Sequence, residues 1–336
     1  MNQTSSTTPQ ASGDAWRCWH ADETPISLGV SSCLLGERVR YDGAHARNRF
    51  VADVLGQWFE WVPVCPEAEV GMGIPRPTIR LVDDGDGERL VAPSTGEDFT
   101  DAMRSYARSR VEELAAIDGY VLKKKSPSCG LERLRVYGSD GHFRRKNGVG
   151  MFTQALQTRW PLLPIEEEGR LNDPILRENF IERVFCRNRW RTLVAKGLSR
   201  KALVAFHTAH KLLLRSHGEA GYRRLGQLVA SFGDRPDEEV YGEYEAEFQK
   251  ALRTKSTKKK HTNVMQHAMG HLKDALTPVE KQEILRAIDD FRVGLLPVVV
   301  PLTLLRFSVV KHGIEYLQGQ LYFEPHPKEL MLRNHV

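Results

Sequence analysis

Short apolar runs that pass at once into turn residues recur through the first half of the chain. Ile26-Ser-Leu-Gly-Val30 leads into Ser31-Ser-Cys33, Trp61-Val-Pro-Val64 into Cys65-Pro-Glu67, and Tyr120-Val-Leu122 into Lys123-Lys-Lys-Ser-Pro-Ser-Cys-Gly130. Runs of this length bounded by turn signals predict buried strands. Between them, Phe50, Val51, Val54, Leu55 and Trp58 share one face of a helix over 48–59, and Met103, Tyr106, Val111, Leu114 and Ile117 share one over 98–117. The stretches 78–82 and 88–91 flank Asp83-Asp-Gly-Asp-Gly87 as a hairpin. Strands are expected at 134–137 and 162–165 and a helix over 148–160. A further helix over 173–187 has Asp173 as N-cap and Pro174 in its first turn. Strands alternating with helices predict an α/β domain with a parallel, Rossmann-like sheet. From residue 189 onward the spacing is helical only, over 198–217, 221–232, 237–253, 263–273 and 278–295, with no strand-like alternation until the very end. The expected organisation is a disordered tail over 1–22, an α/β domain over 23–187 and an all-α domain over 188–336.

Composition supports two ordinary cores: 336 residues, 41% hydrophobic and 27% charged, exclude wholesale disorder. The longest apolar stretch, 293–310, is interrupted by Pro297, Pro301 and Arg306 and falls short of a membrane span. The polar N-terminus lacks the basic start and apolar middle of a signal peptide, so a cytoplasmic protein is expected. The net charge of +5 hides a division. Residues 187–336 hold 25 Lys and Arg against 16 Asp and Glu, a surplus of +9, and the remainder carries −4. Nine of the twelve histidines also lie in that second part, where they are expected to add charge below neutral pH. A polyanion is the natural partner of such a surface. Candidate phosphate contacts are His210, Lys211, Arg215, Arg223, Arg224, Lys258, Lys259 and Lys260, while Tyr222, Tyr241 and Tyr244 read as core or interface. No protein partner is indicated.

Five cysteines do not make a disulfide scaffold in a chain of this size. A lone cysteine in an α/β domain is by default buried filler, but Cys33, Cys65 and Cys129 each stand just past a strand end, which predicts a single three-thiol cluster. Zinc prefers four ligands in local pairs such as Cys-x-x-Cys, and no such pair occurs. Iron–sulfur clusters accept thiolates from widely separated loops, and three ligands would leave one iron of a four-iron cube open. Zinc stays as the weaker alternative. Cys18, in the tail, and Cys186, in Phe185-Cys-Arg-Asn, lack the strand-end setting and read as incidental or structural thiols.

Three motifs carry a resemblance. Ser31-Ser-Cys-Leu-Leu-Gly36 with Arg40-Tyr-Asp-Gly43, Val64-Cys-Pro-Glu67 and Lys125-Ser-Pro-Ser-Cys-Gly130 resemble, in order and over about 26–168, the thiouracil desulfidase family. The downstream part, with His207-Thr-Ala-His-Lys211 and Lys259-Lys-His-Thr-Asn263, is similar to the domain fused to that one in tRNA 4-thiouridine desulfidases. The resemblance implies a 4Fe-4S cluster on Cys33, Cys65 and Cys129 with one open iron, Glu67 as acid/base and Ser126 as assisting hydroxyl. It further implies a non-redox, hydrolytic removal of sulfur from 4-thiouridine in tRNA, with free thiouracil as the alternative substrate. A non-catalytic iron–sulfur sensor bound to nucleic acid is the alternative of another class. From the residues themselves, Glu67 stands two positions from a cysteine and Ser126 three, within reach of one site. Lys123 and Lys125 straddle the strand end and offset cluster charge, and Tyr41 and Asp42 shape the pocket. The bland readings are a solvated glutamate, a backbone-bonded serine, a solvated lysine run and a plain Asp42-Gly43 turn.

Overall fold

The computed structural model describes Trp19 and residues 25–335. The tail expected over 1–22 lies, Trp19 apart, outside the described residues, as does Cys18. The chain divides into two units, residues 25–180 and the residues from 181 on.

The first unit contains β1 (Ser27–Ser31), β2 (Glu60–Val64), α1 (Pro66–Glu69), β3 (Arg80–Asp83), β4 (Glu88–Val91), α2 (Thr100–Glu113), β5 (Gly119–Leu122), β6 (Leu134–Gly138), β7 (Phe143–Gly148), α3 (Met151–Arg159) and β8 (Ile165–Glu167). Four of the strands form an all-parallel sheet in the order β2-β1-β5-β8. The two central strands, β1 and β5, are buried along nearly their whole length, and Met103, Val111, Phe152 and Leu156 from the helices pack in one buried cluster with Val64, Tyr120 and Leu122. Gly29 is required by space: a Cβ there would sit 2.2 Å from the ring of Tyr120, its partner on β5. From β1 the chain winds outward to β2, and from β5 it winds the other way to β8. The order therefore reverses between β1 and β5, where open α/β sheets leave a crevice beyond the strand ends.

A second sheet, β4-β3-β6-β7, gathers the expected strands and adds one, β7, that the sequence pattern left out. The β3–β4 hairpin is as expected, and β6 runs parallel to β3. β7 reads Phe-Arg-Arg-Lys-Asn-Gly and is mostly exposed, so no apolar alternation announces it. The helix expected over 48–59 is instead a π-helical turn, Phe50–Val54, followed by a 3-10 turn, Leu55–Gln57. Only Val51 and Leu55 are buried within these turns, too little apolar contact to carry a long helix. α4 (Pro174–Ala195) is capped as predicted, Asp173 Oδ1 accepting from the backbone N–H of Ile175 (2.9 Å) and Leu176 (3.1 Å), and runs beyond its expected end.

The second unit is helical: α5 (Arg200–His217), α6 (Glu219–Ala230), α7 (Asp237–Leu252), α8 (Lys258–Leu272), α9 (Pro278–Val293), α10 (Val299–Lys311) and α11 (Glu315–Gln318). Its core gathers Phe206, Leu212, Tyr244, Phe248, Met265, Phe291 and Leu305. α8 begins before its expected start, with the lysines in its first turn, because Thr257 caps it by accepting from the Lys260 N–H. The interrupted apolar stretch yields α10. Pro301 falls in its first turn, where the missing N–H has no intrahelical acceptor to lose. Among the described residues no helix is long and apolar enough to cross a membrane.

Candidate active site

Cys33 sits in the 3-10 turn Ser32–Leu34 directly after β1, Cys65 is the N-cap of α1 directly after β2, and Cys129 lies in the loop after β5. Because β2, β1 and β5 are adjacent and parallel, all three loops leave the same edge of the sheet. They open into one cavity of about 430 Å³ lined by Cys33, Cys65 and Cys129 together with Tyr41, Glu67, Lys123, Lys125 and Ser126. Asp42 is not in that lining. Its carboxylate closes its own turn, accepting from Ala44 N–H (3.1 Å) and pairing with Arg40 (3.4 Å), so the plain-turn reading replaces the pocket role expected for it.

Burial raises the pKa of all three thiols. Cys33 is pushed up to about 11, opposed by the nearby Lys123 ammonium and reinforced by Cys65. For Cys129 the further causes are Glu67, Cys65 and Cys33, so the three sulfurs lie within one another's field. Among the described residues no group of three or more His, Cys, Asp or Glu is placed to hold a single metal ion.

Glu67, in the first turn of α1, is far from a solvated loop carboxylate. Its Oε2 accepts from Arg76 Nε (3.0 Å) and Nη2 (2.7 Å), and its Oε1 accepts from Ser126 Oγ (3.1 Å) and, at short range, Ser128 Oγ. Ser126 Oγ also accepts from the Cys129 N–H (3.1 Å) and stands 3.0 Å from Ser128 Oγ. Arg76 and Ser128 are the two groups that sequence reasoning did not single out. Ser128 lay inside the quoted motif, and Arg76 stood between Pro75 and Pro77 with no pattern to mark it. The N terminus of α3 docks against the same loop: Met151 N–H donates to Pro127 O (3.1 Å), Phe152 N–H to Ser128 O (3.0 Å), and Thr153 Oγ1 to Cys129 O (2.7 Å). Lys123 is no free solvated cation either, since its ammonium pairs with Glu168 (2.7 Å). Lys125 is exposed at the cavity with a left-handed backbone, φ 61°.

In the second unit the expected phosphate contacts separate. His210 is buried at 0% exposure, its ring 4.0 Å from that of Phe206 and its Nδ1 2.7 Å from the Phe206 carbonyl, so it is withdrawn as a surface contact. Arg215 and Arg223 both pair with Glu219 at 3.1 Å, and Arg224 pairs with Glu243. Lys260 donates to the carbonyls of His217 (2.6 Å) and Lys255 (2.9 Å). Lys211 is half-buried, and Lys258 and Lys259 are exposed in the first turn of α8. The histidines do not all act as a reserve of positive charge. Burial holds His207 down to about 4 and His261 and His326 down to about 3. Cys186 is buried beside Arg189, its thiol pushed up to about 12 by burial.

Residues 28–168 match the 2-thiouracil desulfurase family. Residues 211–327 match a family described as a protein of unknown function (DUF1722). The first match places that segment, rather than the whole chain, in the desulfurase family. The uncharacterized protein YbgA of Escherichia coli (strain K12) is 29% identical over 153 residues, 45% of this chain and 90% of its own length. The uncharacterized protein YbbK of Bacillus subtilis (strain 168) is 28% identical over 155 residues, 43% of this chain and 97% of its own. Among solved structures, the 4Fe-4S-dependent thiouracil desulfidase TudS is 31% identical, with 44% of this chain and 94% of that chain covered and a TM-score of 0.36.

Proposed function

We propose that the first unit is a desulfidase that exchanges the thiocarbonyl sulfur of a pyrimidine for the oxygen of water, using a 4Fe-4S cluster held by Cys33, Cys65 and Cys129. The observation that carries this reading is the delivery of three thiols and the Glu67 carboxylate from neighbouring strand ends into one cavity. The family match over 28–168 supports the reaction class. The donor set fits the group. It is all sulfur, it comes from three separate loops, and the lining contains no fourth cysteine and no histidine, so one iron would lack a protein ligand. Ligation needs thiolates, which burial alone disfavours, which the Lys123 ammonium favours and which bound iron would favour. When bound, the cluster supplies a Lewis-acidic site for the substrate sulfur.

The remaining work falls to the chain. Glu67 Oε1 takes a proton as water adds to the thiocarbonyl carbon and returns one as the C–S bond breaks. In sum, thiocarbonyl and water give carbonyl and hydrogen sulfide, with no electrons exchanged. Ser126, which lines the cavity with Glu67, donates to that same oxygen.

The finer reading is a thio-base presented within tRNA, as 4-thiouridine, with the second unit as its holder. The +9 surplus over 187–336 and the exposed Lys258 and Lys259 support it. The test is incubation of anaerobically loaded protein with 2-thiouracil, 4-thiouracil and 4-thiouridine-containing tRNA without an electron donor, beside Cys129→Ala. Sulfide release by the parent alone is expected. An iron-loaded protein that binds nucleic acid and releases no sulfide from any of the three would overturn the enzyme in favour of a sensor.

A further inference from the structure

We propose that Arg76 is a positioning residue for the reaction, dividing the Glu67 carboxylate into one oxygen that is held and one that acts. The inference rests on the desulfidase reading above.

Its side chain is 3% exposed and every hydrogen bond it makes ends on Glu67 or on a loop that frames the cavity. Nε and Nη2 both donate to Glu67 Oε2, Nη1 donates to Gly73 O (3.1 Å), and Nη2 also donates to Val39 O (2.8 Å). The guanidinium is thus fixed by two carbonyls before it meets the carboxylate. A rigid planar fork gripping one oxygen leaves the carboxylate little freedom to rotate.

The other oxygen has a different environment. Oε1 faces Ser126 and Ser128, and these three oxygens make a triangle of contacts. Ser126 Oγ accepts the Cys129 N–H, and its own hydrogen can serve either Oε1 or Ser128. Two hydroxyl hydrogens therefore serve three contacts, so the donors to Oε1 can rearrange. That adaptability belongs to Oε1 alone. Oε2 sees only donors that do not rearrange. Without Arg76 the two oxygens become interchangeable and the acting one is displaced from the cavity.

A misplacement of about 1 Å can cost roughly 100-fold in rate. Arg76→Ala is therefore expected to lower kcat about 100-fold on 2-thiouracil with KM within about threefold and with iron content unchanged, and added guanidinium should restore part of the rate. Arg76→Lys should remain slow, because an ammonium cannot grip one oxygen with two parallel N–H bonds while holding both carbonyls. A purely structural arginine would lose iron or raise KM and would not respond to guanidinium. Parent-like kcat in iron-matched Arg76→Ala and Arg76→Lys would overturn the inference, as would a slow Arg76→Ala enzyme that guanidinium leaves unchanged. If Arg76→Ala does not fold, Arg76→Lys carries the same comparison. If the parent itself releases no sulfide, the desulfidase reading has failed. Crystals of the cluster-free variant then judge the hold separately: a Glu67 carboxylate still seated on Ser128 would sink it, and a rotated one would sustain it.

Discussion

Replacing Gly150 by alanine tests how tightly the Cys129 loop is built. The backbone there, φ −61° and ψ 138°, is open to any residue, so glycine is demanded by space alone. A Cβ would stand 2.5 Å from Ser128 O, 2.6 Å from Ser128 C and 2.7 Å from Cys129 N, all of them backbone atoms. Ordinary van der Waals contact begins about 1 Å further out, so either α3 retreats or the loop bearing Ser128 and Cys129 moves. Retreat breaks the bonds from Met151, Phe152 and Thr153 to that loop. Forcing a methyl into packed surroundings costs about 1–3 kcal/mol. Removing a glycine from the unfolded chain returns about 0.4–1 kcal/mol. The clash wins, and Gly150→Ala should destabilise the first unit by about 1–2 kcal/mol. The larger effect should be chemical: a Cys129 sulfur displaced by about 1 Å should lower iron occupancy, and desulfuration per bound iron should fall by up to about 100-fold. The assay is thermal unfolding of the protein with iron and acid-labile sulfide counted after anaerobic loading. Parent-like melting together with full iron loading would refute the reasoning, because it would mean that the loop and α3 are not in the contact described.

Other expectations follow from single features. Cys33→Ala, Cys65→Ala and Cys129→Ala should each abolish cluster loading, measured as iron per chain, while Cys186→Ala, whose thiol is not in the cavity lining, should load fully. Buried neutral histidines make the second unit acid-sensitive. His207, His261 and His326 have folded pKa values of about 4, 3 and 3, below the usual 6.5, so the unfolded chain binds protons first as pH falls. Stability should be level above about 6.5 and decline from there toward 3, in melting curves followed by circular dichroism at several pH values. A flat profile from pH 7 to 4.5 would contradict the burial. Lys258→Ala with Lys259→Ala should weaken tRNA binding and flatten its salt dependence, each lost phosphate contact removing a log–log slope of about 0.9. Equal slopes would leave the two lysines as solvated groups.

The sequence made the parallel sheet and its thiols readable because each strand end is marked by an apolar run meeting turn residues, and register within a parallel sheet then brings Cys33, Cys65 and Cys129 to one edge. It could not reveal Arg76, whose role depends on a carboxylate nine positions away and a carbonyl, that of Val39, 37 positions away. Charge counting misled in the second unit. A net surplus says nothing of which cations are already spent, and Arg215, Arg223 and Arg224 meet acids while His210 is inside the core. β7 was missed for a related reason, since a solvated strand of Arg, Lys and Asn has no apolar period.

The central claim is most directly tested by the origin of the oxygen in the product. Anaerobically loaded protein, given 4-thiouracil in oxygen-18 water with no electron donor, should yield uracil carrying one heavy oxygen at the position the sulfur left, with one sulfide per uracil. Unlabelled uracil, an absolute need for a reductant, or intact 4-thiouracil after incubation with fully loaded protein would contradict it.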